Sequence, residues 1–250
     1  LGEDEVARIA ALLDKDYVVE GQLRRQAISM AINRDEITSV IFDNTRTPAR
    51  DFTSPVIDGW SKDLKGSDVL DFNAKKAQEL WAKADKISPW SGTFQIAYNG
   101  DGGHQAWVDA VCNSIKNTLG IDASGAPYPT FAELRTAVTD RTITTAFRTG
   151  RQADYPALAN FLEPLYQTDA GANDGDYSND QVDELFSKGN EAGSLDEANK
   201  YFQDAQVILL QDLPAVPLWY SNVNGGYSTL VQNVVFGWNS VPLYYQVTKK

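Results

Sequence analysis

The chain contains 250 residues, of which 42% are apolar and 11% aromatic, a composition typical of a globular protein. Its 34 acidic side chains outnumber the 22 of lysine and arginine, and the net charge of −12 disfavours binding to nucleic acid or to an anionic membrane surface. Cys112 is the single cysteine, which excludes an internal disulfide.

Export signals and membrane spans are not evident in the sequence. No apolar run approaches the roughly 18 residues that a membrane-spanning helix requires. The N-terminal residues also show no signal-peptide pattern. If the protein is exported, we therefore expect its signal to lie outside this chain.

The first part of the chain predicts helices joined by loops. Apolar residues at helical spacing predict a helix over residues 3–13, and residues 14–21 are predicted to be a connection. Two further helices are predicted after it, with a break near Asn33, and the second of them should end near Phe42. Residues 45–71 are rich in proline, glycine and aspartate without periodicity, which predicts a long surface loop.

The middle of the chain has the rhythm of an α/β protein. Asn73 is placed to cap a helix, the alternation from Phe94 to Tyr98 predicts a strand, and a helix carrying Trp107 follows and should end at Gly120. A strand, a helix and a further apolar stretch in this order are typical of a βαβ unit. We therefore predict an α/β fold in which helices flank a sheet.

The stretch from residue 143 to residue 164 combines a strand, a polar turn and a helix. Alternation predicts a strand over residues 143–147, Gly150 interrupts it, and an apolar pattern from Leu158 predicts a helix that Pro164 should end. Asp154 stands at the helix entrance, where its carboxylate either accepts the free N–H groups of the first turn or faces a ligand. Capping is the commoner role of an aspartate at such a position.

The last third of the chain predicts more helices and short strands. Helix starts are indicated by three capping patterns, Thr130-x-x-Glu133, Ser178-x-x-Gln181 and Ser194-x-x-Glu197. Residues 169–180 lack the ligand spacing of a calcium-binding EF-hand, so a loop is predicted there. Strands are predicted over residues 214–220, 227–230 and 243–247.

Catalytic and metal-binding patterns are weak. His104 and Cys112 are alone in their residue types, and no oxyanion hole or orienting third group accompanies them, so Cys112 is interpreted as a small buried residue. Asp154 and Glu163 are the one candidate carboxylate pair for glycoside hydrolysis. No glycine-rich phosphate loop occurs. We expect no enzymatic activity, no metal and no cofactor.

Three segments carry a resemblance to a known family. Residues 148–156 read Arg-Thr-Gly-Arg-Gln-Ala-Asp-Tyr-Pro, residues 24–34 read Arg-Arg-Gln-Ala-Ile-Ser-Met-Ala-Ile-Asn-Arg, and residues 214–220 read Pro-Ala-Val-Pro-Leu-Trp-Tyr. In this order they resemble the extracytoplasmic oligopeptide-binding proteins of ABC importers, the family 5 solute-binding proteins. Arg151 replaces the tryptophan usual in that family, and Asn33 replaces an aspartate. Arg24 and Arg34 are interpreted as structural or solvated residues rather than ligand contacts.

The resemblance implies roles for five residues. It implies that Asp154 pairs with the α-ammonium of a peptide, and that the backbone of Gly150, Arg151 and Gln152 lies along the peptide as an added strand. Arg148 is implied as a partner for a short peptide's carboxylate. Arg151, in place of tryptophan, is expected to shift the preference toward acidic or hydrogen-bonding ligands.

The resemblance also implies an architecture and partners. We expect residues 1–250 to form the C-terminal lobe of a two-lobed, class II periplasmic-binding-protein-like fold with a mixed sheet flanked by helices. Residues from about 215 to 250 are expected to return toward the N-terminal lobe. The implied partners are a peptide, the permease subunits of the transporter and the N-terminal lobe, and the implied location is extracytoplasmic, either periplasmic or as a cell-surface lipoprotein.

Two alternatives to peptide capture are open. An oligosaccharide-binding member of the family would use stacking aromatic residues such as Trp219, Tyr220 or Trp238, although packing in the core is the competing interpretation of all three. The other alternative is an acidic interaction module that takes no small ligand.

Overall fold

The computed structural model describes residues 15–250, which form two compact units. Unit 1 contains the described residues up to Ile37 together with residues 66–149 and 209–216. Unit 2 contains residues 38–65, 150–208 and 217–250. The helix predicted for residues 3–13 lies outside the described residues.

The described chain consists of helices and short strands, which alternate between residues 34 and 166. The helices are α1 (Lys15–Met30), α2 (Arg34–Val40), α3 (Ala74–Ile87), α4 (Gln105–Leu119), α5 (Phe131–Thr139), α6 (Leu158–Tyr166), α7 (Asp180–Glu191) and α8 (Leu195–Asp212). The strands are β1 (Arg46–Pro48), β2 (Phe94–Asn99), β3 (Ala123–Tyr128), β4 (Ala146–Phe147), β5 (Trp219–Ser221), β6 (Val231–Gln232) and β7 (Thr248–Lys249).

A parallel sheet of order β3-β2-β4 organises unit 1. Ala97 of β2 packs in one buried cluster with Leu134 and Val138 of α5. The next residue, Tyr98, approaches Val108 of α4, since both lie beside the same glycine of β3. Successive side chains of a strand point to opposite faces, so α4 and α5 cover opposite faces of the sheet. The predicted α/β fold with a helix-flanked sheet is confirmed, and the three strands of this sheet are all parallel where a mixed sheet was expected.

The helix ends predicted from Asn73, Gly120 and Thr130 in unit 1 are confirmed. The Asn73 side chain accepts a hydrogen bond from the backbone N–H of Lys76 at 3.0 Å and caps α3. Gly120 ends α4 with a φ of 71°, a left-handed conformation that glycine adopts without strain. The Thr130 hydroxyl accepts from the N–H of Glu133 at 3.2 Å and caps α5.

Arg24 and Arg34 have structural roles in unit 1. Arg24 is bound to Glu20 and, at 2.9 Å, to Asp85. Arg34 is only 3% exposed and donates to the carbonyl of Ser29 at 2.9 Å. Burial lowers the pKa of Arg34 to about 9. The structural interpretation of both arginines is confirmed.

Residues 45–71 differ from the predicted surface loop. β1 pairs antiparallel with β5 in unit 2, and Thr47 lies opposite Tyr220. The Tyr220 hydroxyl donates to Asp51 at 2.7 Å. Asp51, Phe52 and Ile57 are buried. Most of residues 45–71 have irregular backbone, and their buried apolar side chains do not recur at a regular spacing. The sequence of this segment therefore shows no helical or strand periodicity.

Several element boundaries were predicted wrongly. α1 already includes residues 15–21, which were predicted as a connection. The second capping pattern shifts by one residue, and Asn179 caps α7 instead of Ser178. The final strands lie at β6 and β7 rather than at residues 227–230 and 243–247. α6 continues past Pro164 to Tyr166.

Candidate ligand-binding site

The segment from residue 148 to residue 157 joins the parallel sheet to α6. The backbone N–H of Arg148 donates to the carbonyl of Ala97 at 2.9 Å, a bond that belongs to the parallel pairing of Phe147 in β4 with Ala97 in β2. The chain then leaves regular structure until α6 begins at Leu158. The resemblance placed all five candidate peptide-binding residues in this segment.

Asp154 is not the helix cap that its position suggested. The N-cap of α6 is Ala157, and no side chain caps that end of the helix. The Asp154 side chain is 74% exposed, and its Oδ2 accepts a hydrogen bond from Nη2 of Arg151 at 2.8 Å. The capping interpretation is therefore wrong, and the carboxylate lies at the surface of unit 2.

Asn160 holds this surface pair in place, a role that the sequence did not reveal. Asn160 is 4% exposed, and its Oδ1 accepts from the backbone N–H of Asp154 at 2.8 Å and from Nη2 of Arg151 at 3.0 Å. Its backbone carbonyl accepts from Nε of Arg151 at 3.2 Å. The available signal was an amide inside the apolar run of residues 158–162, since a buried amide requires hydrogen-bond partners.

Pro164 explains why the carbonyl of Asn160 is open to Arg151. Pro164 lies four residues after Asn160 in α6 and has no N–H to donate to that carbonyl. The Arg151 side chain supplies the missing donor. This bond satisfies the carbonyl left open, which is why α6 tolerates a proline that was expected to end it.

The backbone beside Asp154 has free hydrogen-bonding capacity. Gly150, Arg151 and Gln152 neither donate nor accept a backbone hydrogen bond within residues 15–250. The Gln152 side chain donates to the carbonyl of Asn239 at 2.9 Å. An extended backbone with unpaired groups is the requirement for adding a peptide strand.

Arg148 belongs to unit 1, whereas Gly150, Arg151, Gln152 and Asp154 belong to unit 2. Arg148 follows β4 at the carboxyl edge of the parallel sheet, the edge where α/β proteins usually bind ligands. Its guanidinium lies 5.4 Å from the ring centroid of Phe131. Burial lowers the pKa of Arg148, and nearby Asp101 opposes that shift.

Asn99 orients Arg148 and was not singled out by the sequence. It is 3% exposed at the end of β2, and its Oδ1 accepts from Nε of Arg148 at 3.0 Å. Its Nδ2 donates to Oδ1 of Asp101 at 2.6 Å, and Oδ2 of Asp101 accepts from the N–H of Phe131 at 3.3 Å. This chain of bonds directs the Nε edge of Arg148 inward.

The other titratable candidates are buried or hydrogen-bonded within the described residues. Cys112 is 2% exposed and burial raises its pKa to about 11, which disfavours the reactive thiolate. His104 accepts at Nδ1 from the indole N–H of Trp107. Glu163 is bound by Asn190. Within residues 15–250 no group of three or more His, Cys, Asp or Glu side chains could hold a metal ion.

The three aromatic residues considered for sugar binding have different environments. Trp219 packs edge-on against Phe42 with ring centroids 5.0 Å apart, and the Tyr220 hydroxyl is bound to Asp51. Trp238 is 42% exposed. Packing therefore accounts for Trp219 and Tyr220, and Trp238 alone of the three presents an exposed ring.

Comparison with known proteins identifies relatives of this chain. The family model described as "Bacterial extracellular solute-binding proteins, family 5 Middle" matches residues 15–173, more than half of the chain. The dipeptide-binding protein DppE of Bacillus subtilis is 27% identical over 208 residues, which are 79% of this chain and 37% of DppE. The probable deoxycholate-binding periplasmic protein YgiS of Escherichia coli is 26% identical over 208 residues, which are 78% of this chain and 36% of YgiS.

Solved structures share the fold. The periplasmic binding protein DppA of Helicobacter pylori, in complex with the peptide STSA, superposes with a TM-score of 0.75 at 22% identity. The match covers 95% of this chain and 45% of that one. This chain thus spans less than half the length of these relatives. Among the described residues, no helix has both the length and the apolarity to cross a membrane.

Proposed function

This chain belongs to the bacterial extracellular solute-binding proteins of family 5, and we propose that it binds peptides for import by an ABC transporter. In this proposal Asp154 receives the α-ammonium of the peptide. Solute binding defines the family, which accords with the expectation that the chain is not an enzyme.

The exposed carboxylate of Asp154 is the observation that carries the proposal. A side chain that is 74% exposed is open to a ligand, and Asn160 fixes the backbone N–H of Asp154 at 2.8 Å. Nη2 of Arg151 also holds Oδ2 of Asp154 at 2.8 Å, so the carboxylate is already positioned before a ligand binds, which favours affinity.

Further peptide contacts are proposed within each unit, as the resemblance implies. The unpaired backbone of Gly150, Arg151 and Gln152 can hydrogen-bond to an extended peptide as an added strand. Arg148, held at its Nε by Asn99, is proposed to bind a peptide carboxylate. These contacts use the peptide backbone and termini, so they select for peptides more than for particular side chains.

The proposal includes the rest of the protein and its surroundings. Since the matched relatives are more than twice as long as the matched region, we propose that a second lobe closes over the ligand and that permease subunits receive it. The names of relatives such as YgiS place them in the periplasm, and we propose an extracytoplasmic location, periplasmic or lipid-anchored, for this protein.

Peptide binding is better supported than the two alternatives. Sugar binding would rely on stacking rings, but Trp219 and Tyr220 are engaged in packing and hydrogen bonding within unit 2. An interaction module without a small ligand does not account for membership of a solute-binding family.

Replacing Asp154 with alanine in the full-length protein should weaken peptide binding at least tenfold. Truncating one partner of a desolvated charge pair costs about 2–5 kcal/mol, whereas an exposed pair is worth about 0–1 kcal/mol. Isothermal titration calorimetry with a free peptide and its N-acetylated form measures the effect. Acetylation should weaken binding to the unaltered protein and have little further effect on the Asp154→Ala variant, because both changes remove the same contact.

Asp204→Ala is the matched control, since Asp204 is an exposed aspartate of α8 in the same unit. It should leave peptide affinity unchanged. Equal affinity of the unaltered protein and Asp154→Ala would refute the assignment of Asp154. Binding of oligosaccharides but not of peptides in a thermal-shift screen would instead support the sugar-binding alternative.

A further inference from the structure

Arg151 is fixed in the site rather than mobile at its surface. Its side chain is only 26% exposed, and Nε and Nη2 make three hydrogen bonds, two to Asn160 and one to Asp154. Asn160 is buried and belongs to α6, so these bonds connect the guanidinium to the rigid part of unit 2. The proline that frees the Asn160 carbonyl reinforces this arrangement.

One edge of the guanidinium remains open. Nη1 of Arg151 makes no hydrogen bond to any of residues 15–250. A guanidinium has five N–H donors in a fixed plane, and two of them are on Nη1. Because the Nε and Nη2 edge of the guanidinium is already hydrogen-bonded, the Nη1 donors can bind a ligand with little further loss of side-chain conformational freedom.

The balance of charges in the site indicates which kind of ligand group binds to Nη1 of Arg151. Before a ligand binds, Arg151 and Asp154 neutralise each other. An ammonium that docks on Asp154 brings a second cation to a single carboxylate, and the repulsion grows as water is excluded. A carboxylate on the ligand, close to its ammonium, restores neutrality.

We propose that Arg151 makes this site selective for peptides that carry a carboxylate close to the N-terminal ammonium, and that Nη1 of Arg151 receives this carboxylate. The inference rests on the proposed function, since it takes Asp154 as the partner of the ammonium. The carboxylate comes either from an acidic side chain near the N-terminus or from the C-terminus of a very short peptide.

Calorimetry on the full-length protein with matched peptides tests the proposal. Ala-Glu-Ala-Ala should bind about tenfold more tightly than Ala-Gln-Ala-Ala, as expected for one charge-assisted hydrogen-bonded contact. In the Arg151→Gln variant this ratio should fall close to one. The dipeptide Ala-Ala and its C-terminal amide form the second arm, which distinguishes a terminal carboxylate from a side-chain carboxylate.

Arg135→Gln, on helix α5 of unit 1, removes the same charge outside the site and should preserve the ratios. Arg151→Trp, which introduces the residue usual at this position, should abolish the preference even if Arg151→Gln is poorly folded by its melting temperature. The proposal is supported if the unaltered protein prefers the carboxylate-bearing peptide in either pair and the Arg151 variants lose that preference.

Two results would overturn the inference and leave the proposed function intact. One is peptide binding that depends on Asp154 but shows no preference for a carboxylate in either arm. The other is a preference that persists in both Arg151 variants. Failure of every peptide to bind the unaltered protein would refute the proposed function, and the inference with it.

Discussion

His104 shows how one side chain is tuned by its neighbours in unit 1. Its Nδ1 accepts from the indole N–H of Trp107 at 3.0 Å, which places the ring proton of the neutral form on Nε2. Burial lowers the pKa of His104, Arg148 lowers it further, and Asp101 partly opposes both. The folded protein therefore favours neutral His104.

Acidification should cost stability through His104. The folded-state pKa lies below the ordinary value of about 6.5, so the unfolded chain binds the proton first as the pH falls. The contribution of neutral His104 is complete above about pH 6.5 and is lost as the pH falls through the folded-state pKa. Urea denaturation between pH 7.5 and 5.5, compared with the His104→Asn variant, measures this loss.

The comparison with His104→Asn isolates one group. Asparagine keeps an acceptor for Trp107 and does not titrate, and His104 is the only histidine of the chain. A parallel pH dependence of the two proteins would show that His104 has no part in it.

At the scale of elements, the sheet of unit 1 leaves no room between β3 and α4. A Cβ atom on Gly125 would lie 2.8 Å from the Tyr98 ring and 3.1 Å from a methyl group of Val108. Tyr98 is 5% exposed and Val108 is fully buried, so neither can withdraw without disturbing the core. The absence of a side chain at Gly125 therefore sets the distance between strand and helix.

Gly125→Ala should lower the free energy of unfolding by about 1–3 kcal/mol, the usual cost of overpacking a well-filled core. Chemical denaturation measures the change. Gly226→Ala is the matched control, because no atom lies within 4 Å of its added Cβ and the change should stay within about 0.5 kcal/mol. Equal effects of the two substitutions would contradict the close packing.

Helix α6 shows how elements and the site depend on each other. Pro164 was expected to end the helix because it removes a donor, yet the helix continues to Tyr166. The donor is supplied by Arg151, a residue of the preceding segment. The same bond completes the helix and positions the guanidinium beside Asp154.

Across the 250-residue chain as a whole, the net charge of −12 opposes compaction. Raising NaCl from 10 to 150 mM shortens the screening length from about 30 Å to about 8 Å. Exposed pairs such as Lys188 with Glu184 lose strength too, but each contributes at most about 1 kcal/mol. We expect long-range repulsion to dominate and the melting temperature to rise by a few degrees, roughly the effect of 1 kcal/mol.

Differential scanning fluorimetry measures this rise, with an uncharged osmolyte at matched osmolality as the control. A melting temperature that falls with NaCl would show that local ion pairs, and not the overall charge, dominate the electrostatic stability.

Elements that depend on local chemistry were predictable from the amino-acid sequence, and so was the family that the ordered motifs indicate. Asn73 and Thr130 cap helices, Gly120 ends one, and the βαβ rhythm gives the parallel sheet. These features depend on residues a few positions apart, so their spacing is visible in the chain. The segment of Asp154 was singled out by its resemblance to a motif of the family.

The folded structure was needed to exclude a capping role for Asp154. Asp154 had two possible roles, and only the fold showed that Ala157 occupies the cap position while Asp154 faces Arg151. The roles of Asn160 and Asn99 depend on partners brought together by the fold of each unit, and residues 45–71 enter the core without periodicity. Hydrogen bonds and packing between distant residues leave no regular spacing in a single sequence, so they had to be observed in space.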